Sequence, residues 1–172
     1  MSNISSKILT EILPIAIPEA LLQRCFDQGA QIYPEECCGV LSGAVDAPGT
    51  LDGFHPVENI INRLHKEDPE RYPRSGKDGY VMEPQTLFKL ERQLGKEGRE
   101  VRVYYHTHPD VGAYFSEEDQ KRAMWGDAPL LPGVFFLVCG VKDRKPDGAI
   151  LAWWDETARA FTSAQVLDPP TA

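Results

Sequence analysis

From Tyr104 to Asp119 the chain reads YYHTHPDVGAYFSEED, which places two of its four histidines, His106 and His108, one residue apart. On a β-strand, residues i and i+2 leave the same face, so these two imidazoles can converge on one ion. Pro109 closes the strand pattern. The six residues DVGAYF then give the chain room to reverse before a helix that starts at Ser116. Asp119 falls in the first turn of that helix, where a carboxylate also suits the positive end of the helix dipole. Two imidazoles and a carboxylate, with a fourth position open to water, form the ligand set of a catalytic zinc site. Such an ion makes water a nucleophile near neutral pH and polarises a carbonyl oxygen.

Each piece also has a plain structural reading. Ser116-x-x-Asp119 is a capping box, in which the serine satisfies an N-terminal amide and the acid reaches back. An isolated His-x-His pair is often incidental. What favours chemistry is the combination of a strand end, a fixed gap and a helix start. A hydrolytic site also needs a general base that is not a ligand. Upstream, YPEECCGVLSG sets Glu35 and Glu36 directly before an apolar strand. Two acids there are also ordinary solvated loop residues, and the residues alone do not choose between them.

The elements that must position these groups follow from periodicity and punctuation. Pro18 opens a helix over PEALLQRCFDQGAQ, with proline accepted in the first turn. Strands are predicted at CCGVLSGAV, at LDGFHPVEN as far as Pro56, at YVMEP, and at the β-branched and aromatic VRVYYHTH. Residues 59–79 are polar and dense in charge, and read as a long surface loop, a length usually tied to function. Pro84 starts a second, amphipathic helix over PQTLFKLERQLGKEG, and SEEDQKRAMW gives a third. GVFFLVCGV, AILAWWD and RAFTSAQV supply further strands, with KDRKPDG as a hairpin connection and LDPPTA as a frayed tail. The expected fold is α/β or α+β: a single domain over 1–172 with its core at about 18–166 and the helices packed on one sheet.

Composition narrows the function. At 172 residues the chain can bury its own core. A net charge of −8 and a pI near 5.0, with no basic run, argue against nucleic acid. Cys25, Cys37, Cys38 and Cys139 form no CxxC pair and read as free, mostly buried thiols of a reducing compartment. Cys37 and Cys38 lack an independent catalytic histidine, because His55 and His65 read as structural or surface residues. Trp153 and Trp154 sit on a strand, where they read as core filling. The N-terminal segment shows no signal-peptide pattern, and the longest apolar run is too short to cross a bilayer. A cytoplasmic location and no membrane association are expected.

Glutamate in PEECCG, a long interval, then HTHP, six residues, Ser116 and Asp119: together these resemble the JAMM metalloenzymes, the JAB/MPN-domain family. The similarity spans roughly residues 18–155. The spelling and the short chain are most similar to the bacterial and archaeal stand-alone branch, which processes ubiquitin-like and sulfur-carrier proteins. The resemblance implies a curved mixed sheet flanked by helices, similar to cytidine deaminases, although the deaminase signature is missing. It implies Zn2+ held by His106, His108 and Asp119, with Glu36 as general base and Ser116 stabilising the oxyanion. It further implies hydrolysis of an amide at the Gly-Gly-type tail of a ubiquitin-like or sulfur-carrier protein. The basic residues of 59–79 (Arg63, Lys66, Arg71, Arg74 and Lys77) are candidates for gripping that partner. A non-catalytic scaffold module and a cell-wall or phage-tail endopeptidase are the alternative readings.

Overall fold

The computed structural model describes residues 13–170. Helix α1 (Glu19–Ile32) starts after Pro18 and presents Leu21, Leu22, Cys25, Phe26 and Gly29 as one buried face. It is followed by strands β1 (Cys38–Ala44) and β2 (Gly53–Val57), helices α2 (Ile61–Glu67) and α3 (Pro84–Lys96), and the long strand β3 (Arg99–Pro109). Helix α4 (Glu117–Arg122) comes next, then the two-residue strands β4 (Met124–Trp125) and β5 (Ala128–Pro129). Strands β6 (Phe135–Lys142), β7 (Lys145–Asp155) and β8 (Ala160–Leu167) complete the order.

Six strands form one mixed sheet in the order β2-β1-β3-β6-β7-β8. Only β3 and β6 pair in parallel; the other neighbours are antiparallel. One face carries Val103, Tyr105, Leu137, Cys139 and Leu151, all fully buried against Leu22, Cys25 and Phe26 of α1. The helix lies close to the sheet because residue 29 is glycine. A Cβ there would meet Val141 Cγ2 at 2.9 Å and Thr107 Cγ2 at 3.0 Å, closer than packed carbon atoms approach.

The expected α/β architecture, one mixed sheet flanked by helices, is present, and four local expectations are corrected. Residues 59–79 are not all loop: Ile61 is buried and anchors the short helix α2. YVMEP does not join the sheet and makes only an isolated bridge, Asn59 to Met82. SEEDQKRAMW is helical only to Arg122, because Met124 and Trp125 pair with β5 instead. Leu167 is not tail but the buried end of β8. KDRKPDG turns within Asp143 and Arg144, both at positive φ, and β7 begins at Lys145. All four cysteines are free and buried. Among the described residues no helix is long and apolar enough to cross a membrane.

Candidate metal centre

Period-two alternation along β3 sends Tyr104, His106 and His108 to the face opposite α1. Tyr105 on the α1 side donates to Gln28 Oε1 at 2.6 Å, which fixes the register of the strand. The two site histidines are buried, and their Nε2 atoms stand 3.1 Å apart. Past Pro109 the chain turns at Asp110 and Gly112, both at positive φ. Asp110 is held there by its N–H to Val141 O (2.8 Å) and by the Tyr33 hydroxyl, which donates to both carboxylate oxygens. Gly112 O lies 3.2 Å from His108 Nδ1. A carbonyl can only accept, so Nδ1 carries the proton and Nε2 offers its lone pair to the site.

The turn delivers Ser116 as the N-cap of α4. Its N–H and its hydroxyl both donate to Asp119 Oδ2, at 2.9 and 2.7 Å, and its Oγ accepts the Asp119 N–H at 3.1 Å. The capping box therefore forms, and it leaves Asp119 Oδ1 to face His106 Nε2 at 3.4 Å. Asp119 Oδ2 lies 3.7 Å from His108 Nε2. Cap and candidate ligand are the same side chain, so the two readings of this aspartate do not compete.

The electrostatics suit a cation. Burial pushes the His108 pKa down to about 4, helped by His106, so its ring is neutral near pH 7. Burial would raise the Asp119 carboxyl, but hydrogen bonds from His106 and Ser116 outweigh it and hold that group well below the usual carboxylate range. Donors about 2.1 Å from a tetrahedral ion stand about 3.4 Å apart. The Nε2–Nε2 separation of 3.1 Å and the His106 Nε2 to Asp119 Oδ1 separation of 3.4 Å lie close to that value. All three candidate ligand atoms fall within 4.8 Å of one another, and Glu36 is not among the group. The residues present fit a divalent ion.

Glu36 is held beside the group through its backbone. Its N–H donates to Gly76 O at 2.6 Å, and its carbonyl accepts from Asn59 Nδ2 at 3.0 Å. The adjoining Cys37 N–H donates to Thr107 Oγ1 at 2.9 Å, tying the segment to β3. The Glu36 side chain is buried and lines a small cavity of about 140 Å³ with His108, Ser116 and Asp119. Burial raises its pKa to about 7; His106 opposes the rise and Asp119 adds to it. Glu35 is directed elsewhere and accepts from Asn62 Nδ2 at 3.0 Å on the surface.

Tyr80 is a neighbour that no sequence signal announced. Its ring stacks on His106 with centroids 4.5 Å apart, and its carbonyl is held by the Arg122 guanidinium. Tyr80 is far from His106 in the chain, and its partner shows only when the segment after α2 folds back over the sheet. His55 and His65 stay outside the site, bonded to Ser42 Oγ and close to Tyr72 O.

Three comparisons extend the geometry. Residues 18–155 match the family described as prokaryotic homologs of the JAB domain. A desampylase from Haloferax volcanii is 28% identical over 148 residues, spanning 85% of this chain and 89% of that protein. Among solved structures, a Desulfitobacterium hafniense protein superposes with a TM-score of 0.60 at 17% identity, covering 88% of this chain and 90% of its own. A Salinibacter ruber protein does so with a TM-score of 0.55 at 23% identity, covering 90% and 91%. At those identities the structural likeness speaks for the fold.

Proposed function

Since the chain belongs to the prokaryotic JAB-domain family, we propose that it is a zinc-dependent hydrolase cleaving an amide at the C-terminus of a ubiquitin-like or sulfur-carrier protein. The observation that carries this reading is a three-donor group, two of whose members (His108 and Asp119) line one small cavity together with a separate carboxyl poised near neutrality. The name of the Haloferax volcanii relative, desampylase, supports a ubiquitin-like substrate. The scaffold alternative is disfavoured because all five groups are present and brought together.

Zinc held by His106 Nε2, His108 Nε2 and Asp119 would supply Lewis acidity to the carbonyl and to the attacking water. Glu36 takes a proton from that water and returns it to the leaving nitrogen; a pKa near 7 suits both transfers. The Ser116 hydroxyl rotates from Asp119 Oδ2 towards the developing oxyanion, while its lone pair continues to accept the Asp119 N–H. One such donor is typically worth about 3 kcal/mol in the transition state. The substrate tail enters extended, and glycines pass where only a slim backbone fits. Arg74 and Lys77 line the same cavity, which supports a docking role for the basic residues of 59–79.

The test incubates the zinc-loaded protein with small carriers ending in Gly-Gly plus further residues or an amide-linked amine. A mass loss at the carrier's C-terminus is expected in wild type and not in Glu36→Gln. Intact carriers after prolonged incubation, with zinc demonstrably bound, would refute the reading.

A further inference from the structure

A second cavity, of about 510 Å³, adjoins the metal centre and shares three walls with it: Tyr80, Asp119 and Arg122. Its remaining lining is mostly apolar and aromatic, with Met82 and Phe115 on its sides and Tyr104 and Phe136 as its floor. Tyr104 pairs with Phe136 in the β3–β6 register, one face-sharing rung before the His106–Val138 rung. The floor therefore lies two residues from His106 on the same face, about 7 Å along the strand. Leu130 and Leu131 stand at the mouth, 48% and 40% exposed. Apolar side chains left open beside a site mark a surface that is covered when a partner binds.

We infer that this cavity is a subsite for one large apolar side chain of the polypeptide whose amide is placed at the His106–His108–Asp119 group. The inference rests on the hydrolase reading above and adds to it a side-chain requirement. Two residues of an extended chain also span about 7 Å, so the residue that enters lies within about three positions of the scissile bond. Tyr80, stacked on His106 and held by Arg122, divides the two cavities and keeps the apolar side chain from the polar group. A tail of glycines alone would leave the cavity without an occupant.

The experiment uses peptides built on one Gly-Gly amide, with each of three positions on either side carrying Gly or Phe in turn. kcat/KM is measured with the zinc-loaded full chain, and affinity by calorimetry on zinc-loaded Glu36→Gln, whose slow turnover leaves time for the binding measurement. Phe at one position is expected to raise kcat/KM and tighten binding by about tenfold or more over Gly. Leu131→Trp, which fills the mouth, and Leu131→Asp, which makes it polar, should both erase that advantage and leave the all-Gly peptide unchanged. No gain from Phe at any position, or a gain that survives both variants, overturns the subsite. If no peptide is cleaved but binding keeps a Leu131-dependent Phe preference, the subsite stands and the hydrolase reading falls.

Discussion

Val103, Tyr105 and Thr107 leave β3 towards α1, whereas Tyr104, His106 and His108 leave it towards α4, and both sets share one backbone. The first set belongs to a dry, tightly packed core. The second is as deeply buried at His106 but ends in polar atoms that need a charged partner. Glu36 and Cys37 continue the contrast in the adjoining segment. Burial raises the pKa of both, taking the Cys37 thiol up to about 12 and the Glu36 carboxyl to about 7. The same physical push leaves one group inert and the other able to exchange protons near neutral pH. What each face can do depends on the ordinary acidity of the groups buried there, not on how deeply they are buried.

The largest break in this contrast should come from the site face. His106→Ala and His108→Ala are each expected to lose bound zinc by elemental analysis and to bring hydrolysis down to background. Glu36→Gln should retain zinc and lose a factor of roughly a hundred or more in kcat. It should also alter the pH dependence. A base must be deprotonated, so wild-type activity rises with pH along a limb centred at about 7, or lower where a bound cation stabilises the carboxylate. That limb should be missing from the residual rate of Glu36→Gln. In the metal-free protein the folded-state pKa lies above the usual 4.5, so native Glu36 holds a proton that the unfolded chain has released. Its contribution is full below 4.5 and is lost as pH rises through about 7, a change of roughly 3 kcal/mol. Denaturant melts at pH 5 and pH 8 should show this loss in wild type and not in the variant.

The opposite face should answer differently. Leu137 is fully buried in the core beneath α1. Leu137→Ala is expected to cost about 3 kcal/mol of stability by urea titration. Turnover per folded molecule should be little changed, because no site atom rests on that side chain. A comparable fall in kcat at a temperature where the variant stays folded would show that the two faces are mechanically coupled.

These features were not equally legible in the sequence. His106, His108 and Asp119 could be read because strand alternation and the first helical turn are local rules, and a fixed six-residue gap joins them. The fold class followed from alternating strands and helices. Glu36 and Glu35 could not be separated by local rules. The difference lies in Gly76 and Asn59 holding the Glu36 backbone while Asn62 draws Glu35 to the surface, and all three are distant in sequence. Helix α2 was hidden because polar and charged residues outnumber apolar ones in 61–67, and Ile61 is its buried residue. Tyr80 and the apolar cavity gave no sequence signal, since both arise where remote segments meet.

The smallest effect expected concerns the thiols, and it separates two chemistries. Cys37 follows Glu36 directly, and a nucleophilic cysteine beside an acid would give an enzyme that alkylating agents inactivate. Burial places Cys37 at about 12 and pushes Cys38 up further, while Cys25 is raised by burial and by Cys139. A thiol with a pKa near 12 is ionised to only about one part in ten thousand at pH 8, and the thiolate is the species that reacts. The folded protein treated with iodoacetamide at pH 8 should therefore gain no mass on these residues and keep its turnover, whereas zinc chelation should abolish it. Rapid alkylation of Cys37 with parallel loss of activity would move the chemistry from the carboxylate to its neighbour.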